Sequence, residues 1–390
     1  MKIKGHKLTA LGINAGIGSP LVGAQEQGFK VLGNVESRSF FYLKDDLDRN
    51  TFTENFNAPM QKTEIVPPGD VTIMAGLPKC GTYSNLVNLT GQDRQDLKTK
   101  KSTQLEPTLQ YVAKVKPLFF FMDNLPKFLG ANHISIFHDF LPDYDIHPAL
   151  VSNAGYGNCQ WNRNRLFIIM SRKELKYTFI PQESYARRTL GDVIESLDDK
   201  ATKYNEIQHT EHTLVGSCKG GYRIFGDRPM EWHEAREYFM KTKAGMPLSY
   251  LQSETREVKH HFGYCKCAWD RSCRTLTGIT PKMHPKTCLP LSPRERARVM
   301  GFPDDFIFYG LKHEPDGTWR HHNNIGLMRQ TGNCVPVEFP TFLTNQFIAA
   351  LKQPKKYKKL YKYKTSIKPN PLVEEAKDWV KKNLYYRGGQ

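Results

Sequence analysis

The chain has 390 residues, with 56 Lys and Arg against 39 Asp and Glu, a formal net charge of +17. The length exceeds the ~250–300 residues at which single cores stop growing, so more than one domain is expected. A hydrophobic fraction of 39% with 12% aromatics excludes a disordered chain, and no apolar run approaches the ~20 residues of a membrane span. The N-terminal residues show no signal-peptide core, and the eight cysteines are too irregularly spaced for a disulfide framework. A cytoplasmic protein is expected, and the basic surplus favours a polyanionic partner, nucleic acid first.

Taken in chain order, short apolar runs at 8–13, 31–35, 71–75, 118–122, 150–151 and 166–170 alternate with segments of helical length such as 107–116. That alternation predicts an α/β fold with a doubly wound sheet over 1–172. From 173 to 270 the chain is polar, rich in His, Lys and Arg, and without periodicity, so a smaller irregular domain is expected there. Regularity returns over 271–351. The last stretch, 352–390, holds eleven Lys and one Arg against three acids, a net of +9. This tail reads either as a solvated extension or as a contact for phosphates.

The first strand runs into Asn14-Ala15-Gly16-Ile17-Gly18, a turn whose N–H groups can approach a nucleotide-like ligand. Glu36 ends the second strand, where an acid can accept from ribose hydroxyls. The strand at 71–75 leads into Gly76-Leu77-Pro78-Lys79-Cys80, which places a thiol at a strand's carboxyl end beside a lysine. Asp123 follows the next strand, and Arg163 and Arg165 precede the strand at 166–170. A nucleophile, a carboxyl group and two guanidinium groups on neighbouring strand ends form a constellation for attack and protonation. His260, His261, Cys265, Cys267 and Cys273 lack the paired C-x2-C spacing of structural zinc sites, and no metal is expected. Ser292-Pro293-Arg294-Glu295 reads as a capping box opening a helix, with Arg294, Arg296 and Arg298 available to phosphates.

These blocks, in this order, resemble the C5-cytosine-specific DNA methyltransferases. The resemblance runs over most of 8–350: the N-A-G-I-G loop, Glu36, G-L-P-K-C-x-x-x-S ending at Ser84, F-M-D-N-L-P at 121–126 and Q-x-x-R-x-R at 160–165. L-S-P-R-E-R-A-R-V-M-G-F-P-D-D-F at 291–306 and R-Q-T-G-N-C-V-P at 329–336 complete it. It implies an S-adenosylmethionine-dependent methyltransferase domain with a Rossmann-like sheet, and a target-recognition domain at 173–270. The helix of 337–351 would return beside the glycine loop. The implied activity is methylation of cytosine C5 in double-stranded DNA by a monomer, in a bacterial or phage-infected cell. Cys80 would be the nucleophile, Asp123 the acid near N3, Arg165 the contact to O2, and Arg163 the buttress of the loop. S-adenosylmethionine would lie against Ala15, Gly16, Ile17, Gly18, Glu36, Asn57, Asp70, Pro78 and Asn333. Three departures stand out. Lys79 separates Pro78 from Cys80, Asp123 replaces the family's Glu, and one extra residue lies between Gln160 and Arg163. They leave a catalytically silent DNA-binding relative as one alternative, and an RNA cytosine-5 methyltransferase as another.

Overall fold

Four consecutive large apolar residues, Phe119 to Met122, need cover on both faces of a strand, and the fold supplies it. In this computed structural model the described residues are 2–3, 6–36, 47–78, 104–131, 134–160, 163–182, 188–197, 237, 239–246, 265–278, 282–288, 290–309, 311–313, 319–321 and 324–358. The main sheet comprises β1 (Thr9–Ile13), β2 (Lys30–Val35), β3 (Met60–Gln61), β4 (Ile73–Gly76), β5 (Phe119–Asn124), β6 (Tyr144–Ser152) and β7 (Asn164–Arg172). Its order is β3-β2-β1-β4-β5-β7-β6. The first five are parallel in register, while β7 runs antiparallel between β5 and β6. Pro148 is accommodated because β6 is an edge strand.

Successive strand residues face opposite sides, so each buried strand feeds two cores. Phe119 and Phe121 share one core with Phe167 and Ile169, and Phe120 and Met122 share the other with Leu166 and Ile168. The second core is roofed by α3 (Leu105–Val115) and α4 (Ile134–Phe140), through Leu109, Val112 and Phe137. On the first side lie α1 (Val22–Glu26), α2 (Leu47–Phe56), α5 (Leu190–Ile194) and α6 (Pro293–Val299). Ser292 caps α6 through the Glu295 N–H (3.2 Å), and Glu295 returns a bond to the Ser292 N–H (2.8 Å), the box its sequence predicts. α7 (Asn324–Gly332) and α8 (Glu338–Lys352) complete the order.

α8 crosses back onto the start of the chain. A Cβ on Gly23 of α1 would lie 2.1 Å from Thr341 Oγ1, so only glycine lets the two helices approach this closely. Phe347 stacks on Phe119 with centroids 4.2 Å apart, and beyond the helix Tyr357 stacks on Tyr177 at 5.6 Å. The tail therefore begins as packed structure.

The boundary expected at 172/173 does not separate cores. Tyr177, Phe179, Leu190, Val193 and Ile194 are buried in the same cluster as Phe119 and Phe347. The boundary at 270 likewise falls within a stitched segment, where Leu190 N donates to Arg271 O (2.8 Å) and Cys273 N to Cys159 O (2.8 Å). Most of the expected recognition domain, and the tail beyond 358, lie outside the described residues.

Phe347 joins α8 to the middle of the sheet, so Phe347→Ala should destabilise the protein by about 3–5 kcal/mol. Urea unfolding followed by circular dichroism measures it. A loss below about 1 kcal/mol would show that α8 is dispensable to the core.

Candidate active site

The parallel strands aim their carboxyl ends at one edge of the sheet, and the irregular loops there hold most of the chemistry. After β1, Asn14, Gly16 and Gly18 all take positive φ (52°, 57° and 90°). Two side chains from β2 and its end clasp this turn. Asn34 Oδ1 accepts from Ala15 N (3.2 Å) while its Nδ2 donates to Gly16 O (3.1 Å), and Glu36 Oε2 accepts from Gly16 N (3.1 Å). A Cβ on Gly18 would sit 2.3 Å from the Phe56 ring, so the turn can pack on α2 only as glycine. Ala15 and Ile17 are buried side chains, which leaves their backbone as the part a ligand could meet.

A concavity beside this turn is lined by Glu36, Arg49, Met60, Gln61 and Lys62. The last four carry no sequence signal: Arg49 is one of several polar residues on α2, and Met60 and Gln61 form a two-residue strand without periodicity, followed by Lys62. The family resemblance points to Asn57 and Asp70 instead. Asn57 is exposed at the end of α2 in left-handed backbone (φ 46°), with its N–H on Thr53 O (2.9 Å), which is the role of a helix-ending residue. Asp70 is a clear correction. It precedes β4 and accepts through its carbonyl from Thr9 Oγ1 (2.9 Å) at the start of β1, which puts it at the amino edge. Gly76 is six positions further on, roughly 20 Å along extended chain.

At the carboxyl ends of β4 and β5 the next groups converge. Leu77 N donates to Ile13 O (3.3 Å), and buried Pro78 continues the chain past the glycine turn. Lys79, Cys80 and Ser84 lie outside the described residues. Asp123 is 2% exposed and is gripped by Arg165, itself 12% exposed. Arg165 Nε donates to Oδ1 (2.9 Å) and Oδ2 (3.1 Å), and Nη2 closes a further bond to Oδ2. The antiparallel register sets Asp123 opposite Phe167, so Arg165 at the start of β7 falls beside the end of β5.

Arg163 stands apart from that pair. Its Nη1 donates to Leu276 O (2.8 Å), and its Nη2 to Gly332 O (3.2 Å) and Cys334 O. It ties three irregular segments together. Asn333 lies between the two carbonyls that Arg163 holds, exposed, with Oδ1 2.8 Å from where a Cβ on Gly278 would stand. Its helix reaches toward the glycine turn through Gln330 Nε2, which donates to Thr51 Oγ1 on α2 (3.4 Å).

Behind Arg163 runs a buried amide chain. Gln160 Oε1 accepts from Leu276 N (2.8 Å), Asn158 Oδ1 accepts from Gln160 N (2.9 Å), and Asn158 Nδ2 donates to both oxygens of Glu338 (3.1 and 3.0 Å). Burial raises the Glu338 carboxyl from 4.5 to about 7. The arginines expected at phosphates are used inside. Arg294 donates to Pro303 O (3.1 Å) and Phe306 O (2.8 Å), Arg296 to Thr277 O (2.9 Å) and Met328 O (3.0 Å), and Arg298 to Asp304 (2.8 and 2.6 Å). Cys265, Cys267 and Cys273 are buried free thiols, while His260 and His261 lie outside the described residues.

Sheet order, the clasped glycine turn and the acid at the end of β2 are those of a Rossmann-like α/β domain. The profile of the C-5 cytosine-specific DNA methylases matches residues 9–349. The chain belongs to that family. It is 24% identical over 306 residues to the type II methyltransferase M.MthTI of Methanothermobacter thermautotrophicus, covering 74% of this chain and 83% of that one. It is 21% identical over 383 residues to M.FnuDI of Fusobacterium nucleatum, covering 91% and 98%. Among solved structures, one described as a DNA modification methyltransferase encoded within an E. coli prophage superimposes with a TM-score of 0.57 at 19% identity, covering 90% of this chain and 98% of that one. The Entamoeba histolytica methyltransferase EhMeth gives a TM-score of 0.54 at 12% identity, covering 89% and 99%.

Glu338 gives a stability test with a defined sign. Its carboxyl is protonated in the folded protein below about 7 and ionises near 4.5 when unfolded. Unfolding therefore releases a proton inside that window, and stability falls as pH rises through it. Glu338→Gln keeps an oxygen acceptor for Asn158 but does not titrate. Between pH 5 and pH 8 the variant should gain about 2–3 kcal/mol relative to wild type in urea unfolding. Parallel pH dependences would show that Glu338 does not titrate there.

Proposed function

We propose that the protein is an S-adenosylmethionine-dependent DNA (cytosine-5)-methyltransferase, with Cys80 as the nucleophile. The observation that carries this reading is the Asp123–Arg165 pair, buried on the same sheet edge as the glycine turn and as the Pro78 end of the segment leading to Cys80. The donor fits the residues present. Glu36 borders both the Gly16 N–H and the concavity with Met60 and Gln61, which together offer an acid for ribose hydroxyls and an apolar wall for a base. The backbone of 15–18, Glu36, Pro78 and, across α7, Asn333 are the residues we assign to it. When bound, S-adenosylmethionine supplies an electrophilic methyl group.

The chain's own residues carry the rest. A target cytosine must leave the duplex stack to reach a site this deep. Cys80 as thiolate adds to C6, the ring's electron pair moves to C5, and negative charge builds on N3 and O2. Arg165 is assigned to O2, and Asp123 to N3, to which it gives a proton as charge builds there and from which it recovers that proton when the thiolate leaves. After methylation C5 loses its proton to a base, and elimination of the Cys80 thiolate restores the aromatic ring. Arg163 acts at one remove, by holding the loop that presents Arg165. Target recognition is assigned within 173–270. A silent DNA-binding relative is the second reading, favoured by the shorter reach of Asp123 and the commitment of both its oxygens to Arg165.

Conversion sequencing of DNA and RNA from expressing cells tests activity, nucleic acid and base together. Methylcytosine in one DNA sequence context is the expected result. Its absence from both DNA and RNA selects the silent reading, and its presence in RNA alone selects the RNA enzyme. In single-turnover assays Cys80→Ser should abolish transfer while binding persists. Asp123→Asn should lose ~10²–10⁴ in rate, the usual worth of a positioned acid. Near-normal methylation by either variant would remove that residue from the mechanism.

A further inference from the structure

The direction of α8 places a strongly basic surface on the side of the sheet away from the reacting groups. Phe339, in the first turn, packs on Phe167 at 4.3 Å, and Phe167 lies opposite Asp123 across the β5–β7 pair. Eight residues later Phe347 stacks on Phe119, at the amino end of β5. The helix thus runs from the carboxyl edge to the amino edge, and from residue 339 to 352 it climbs roughly 20 Å. Tyr357 then packs on Tyr177, which is itself edge-on to Phe119 at 5.5 Å.

This packing gathers two lysine-bearing segments at the amino edge. Lys173 and Lys176 flank Tyr177 from one side, and Lys352, Lys355, Lys356 and Lys358 flank Tyr357 from the other, all exposed. Within 173–182 and 339–358 the single acid is Glu174, and it pairs with Arg172 at 3.3 Å. Asp143, whose carbonyl accepts from Lys173 N (2.9 Å), Asp145 opposite Ser171 and Asp70 before β4 are further acids at this edge. Because Tyr357 is buried, the backbone under these lysines is already ordered, and binding a polyanion there needs little further ordering.

We propose that this amino-edge surface binds the phosphate backbone of a DNA segment other than the one being methylated. A duplex offering a base to Asp123 lies across the carboxyl edge. Its persistence length of about 150 bp prevents it from folding round the sheet to the other edge within one site. The inference rests on the DNA-methyltransferase reading for the first duplex and on lysine geometry alone for the second.

The test compares wild type with the quadruple variant Lys173→Gln, Lys176→Gln, Lys355→Gln and Lys356→Gln, after matched thermal melting. On a long duplex without target sites, the variant's log–log salt slope should be shallower by about 3–4, near 0.9 for each lost phosphate contact. Protein held on an immobilised short duplex should retain a second, labelled duplex as wild type and retain at least tenfold less as the variant. Single-turnover methylation of a short target duplex should be unchanged. An unchanged salt slope or equal retention of the second duplex would overturn the proposal. So would a loss of short-duplex methylation, which would assign the lysines to the target duplex. Capture by anionic lipid vesicles without capture of the second duplex would overturn it in favour of a membrane surface. Failure of both proteins to methylate, with second-duplex capture intact, would count against the proposed function and leave this surface supported.

Discussion

Asp123 can remain almost wholly buried because Arg165 closes on both its oxygens, and Arg165 reaches it because β7 runs antiparallel beside β5. Were β7 parallel, its first residues would lie at the other edge of the sheet, and the carboxyl would face burial without a counter-charge. Removing one partner of such a pair costs several kcal/mol, commonly ~3–5, because the survivor stays buried and uncompensated. The inverted strand is therefore a requirement of the site. Residues 153–160 follow β6, and their buried amides bind them to Arg163 O and Val299 O.

The same requirement explains why so many charged side chains lie inside. Arg163, Arg294 and Arg296 are all buried, and each donates to backbone carbonyls at 276–277, 303–306 or in and just after α7 at 328–334. Buried carbonyls outside strands and helices have no ladder partner, so a side chain supplies the donor. Guanidinium suits this work because its planar fork serves several acceptors at once. The segments that carry Asn333 and the glycine turn are thus joined by side chains rather than by a sheet.

The strands legible in the sequence were those with long apolar runs, such as 118–122 and 166–170, because burial on both faces leaves a continuous signature. The capping box at Ser292 and the glycine turn were legible because each rests on local backbone chemistry. β3 was not, since two residues show no period. Asn57 and Asp70, expected at the ligand from the family resemblance, are instead a helix terminator and a residue at the amino edge. Asp123 and Arg165 stood out as residue types near strand ends, but their bidentate contact depends on strand direction, which apolar periodicity does not encode. Arg294, Arg296 and Arg298 misled for a related reason. Composition marks an arginine as a candidate for phosphate and cannot show that carbonyls from distant segments already occupy it.

Charge is consequently divided between two tasks. Among the described residues at the carboxyl edge, the guanidinium groups of Arg163 and Arg165 are engaged by carbonyls and by Asp123. Exposed lysines of the described chain include Lys62 beside the glycine turn and Lys173, Lys176, Lys352, Lys355, Lys356 and Lys358 at the amino edge. Surface charges are screened beyond about 8 Å at physiological salt, whereas a buried pair is screened far less. Added salt should therefore weaken the attraction for nucleic acid while leaving the Asp123–Arg165 geometry unaltered. The buried Asp123–Arg165 pair is thus electrostatically self-contained, while the exposed lysines of the amino edge are the charges that salt screens.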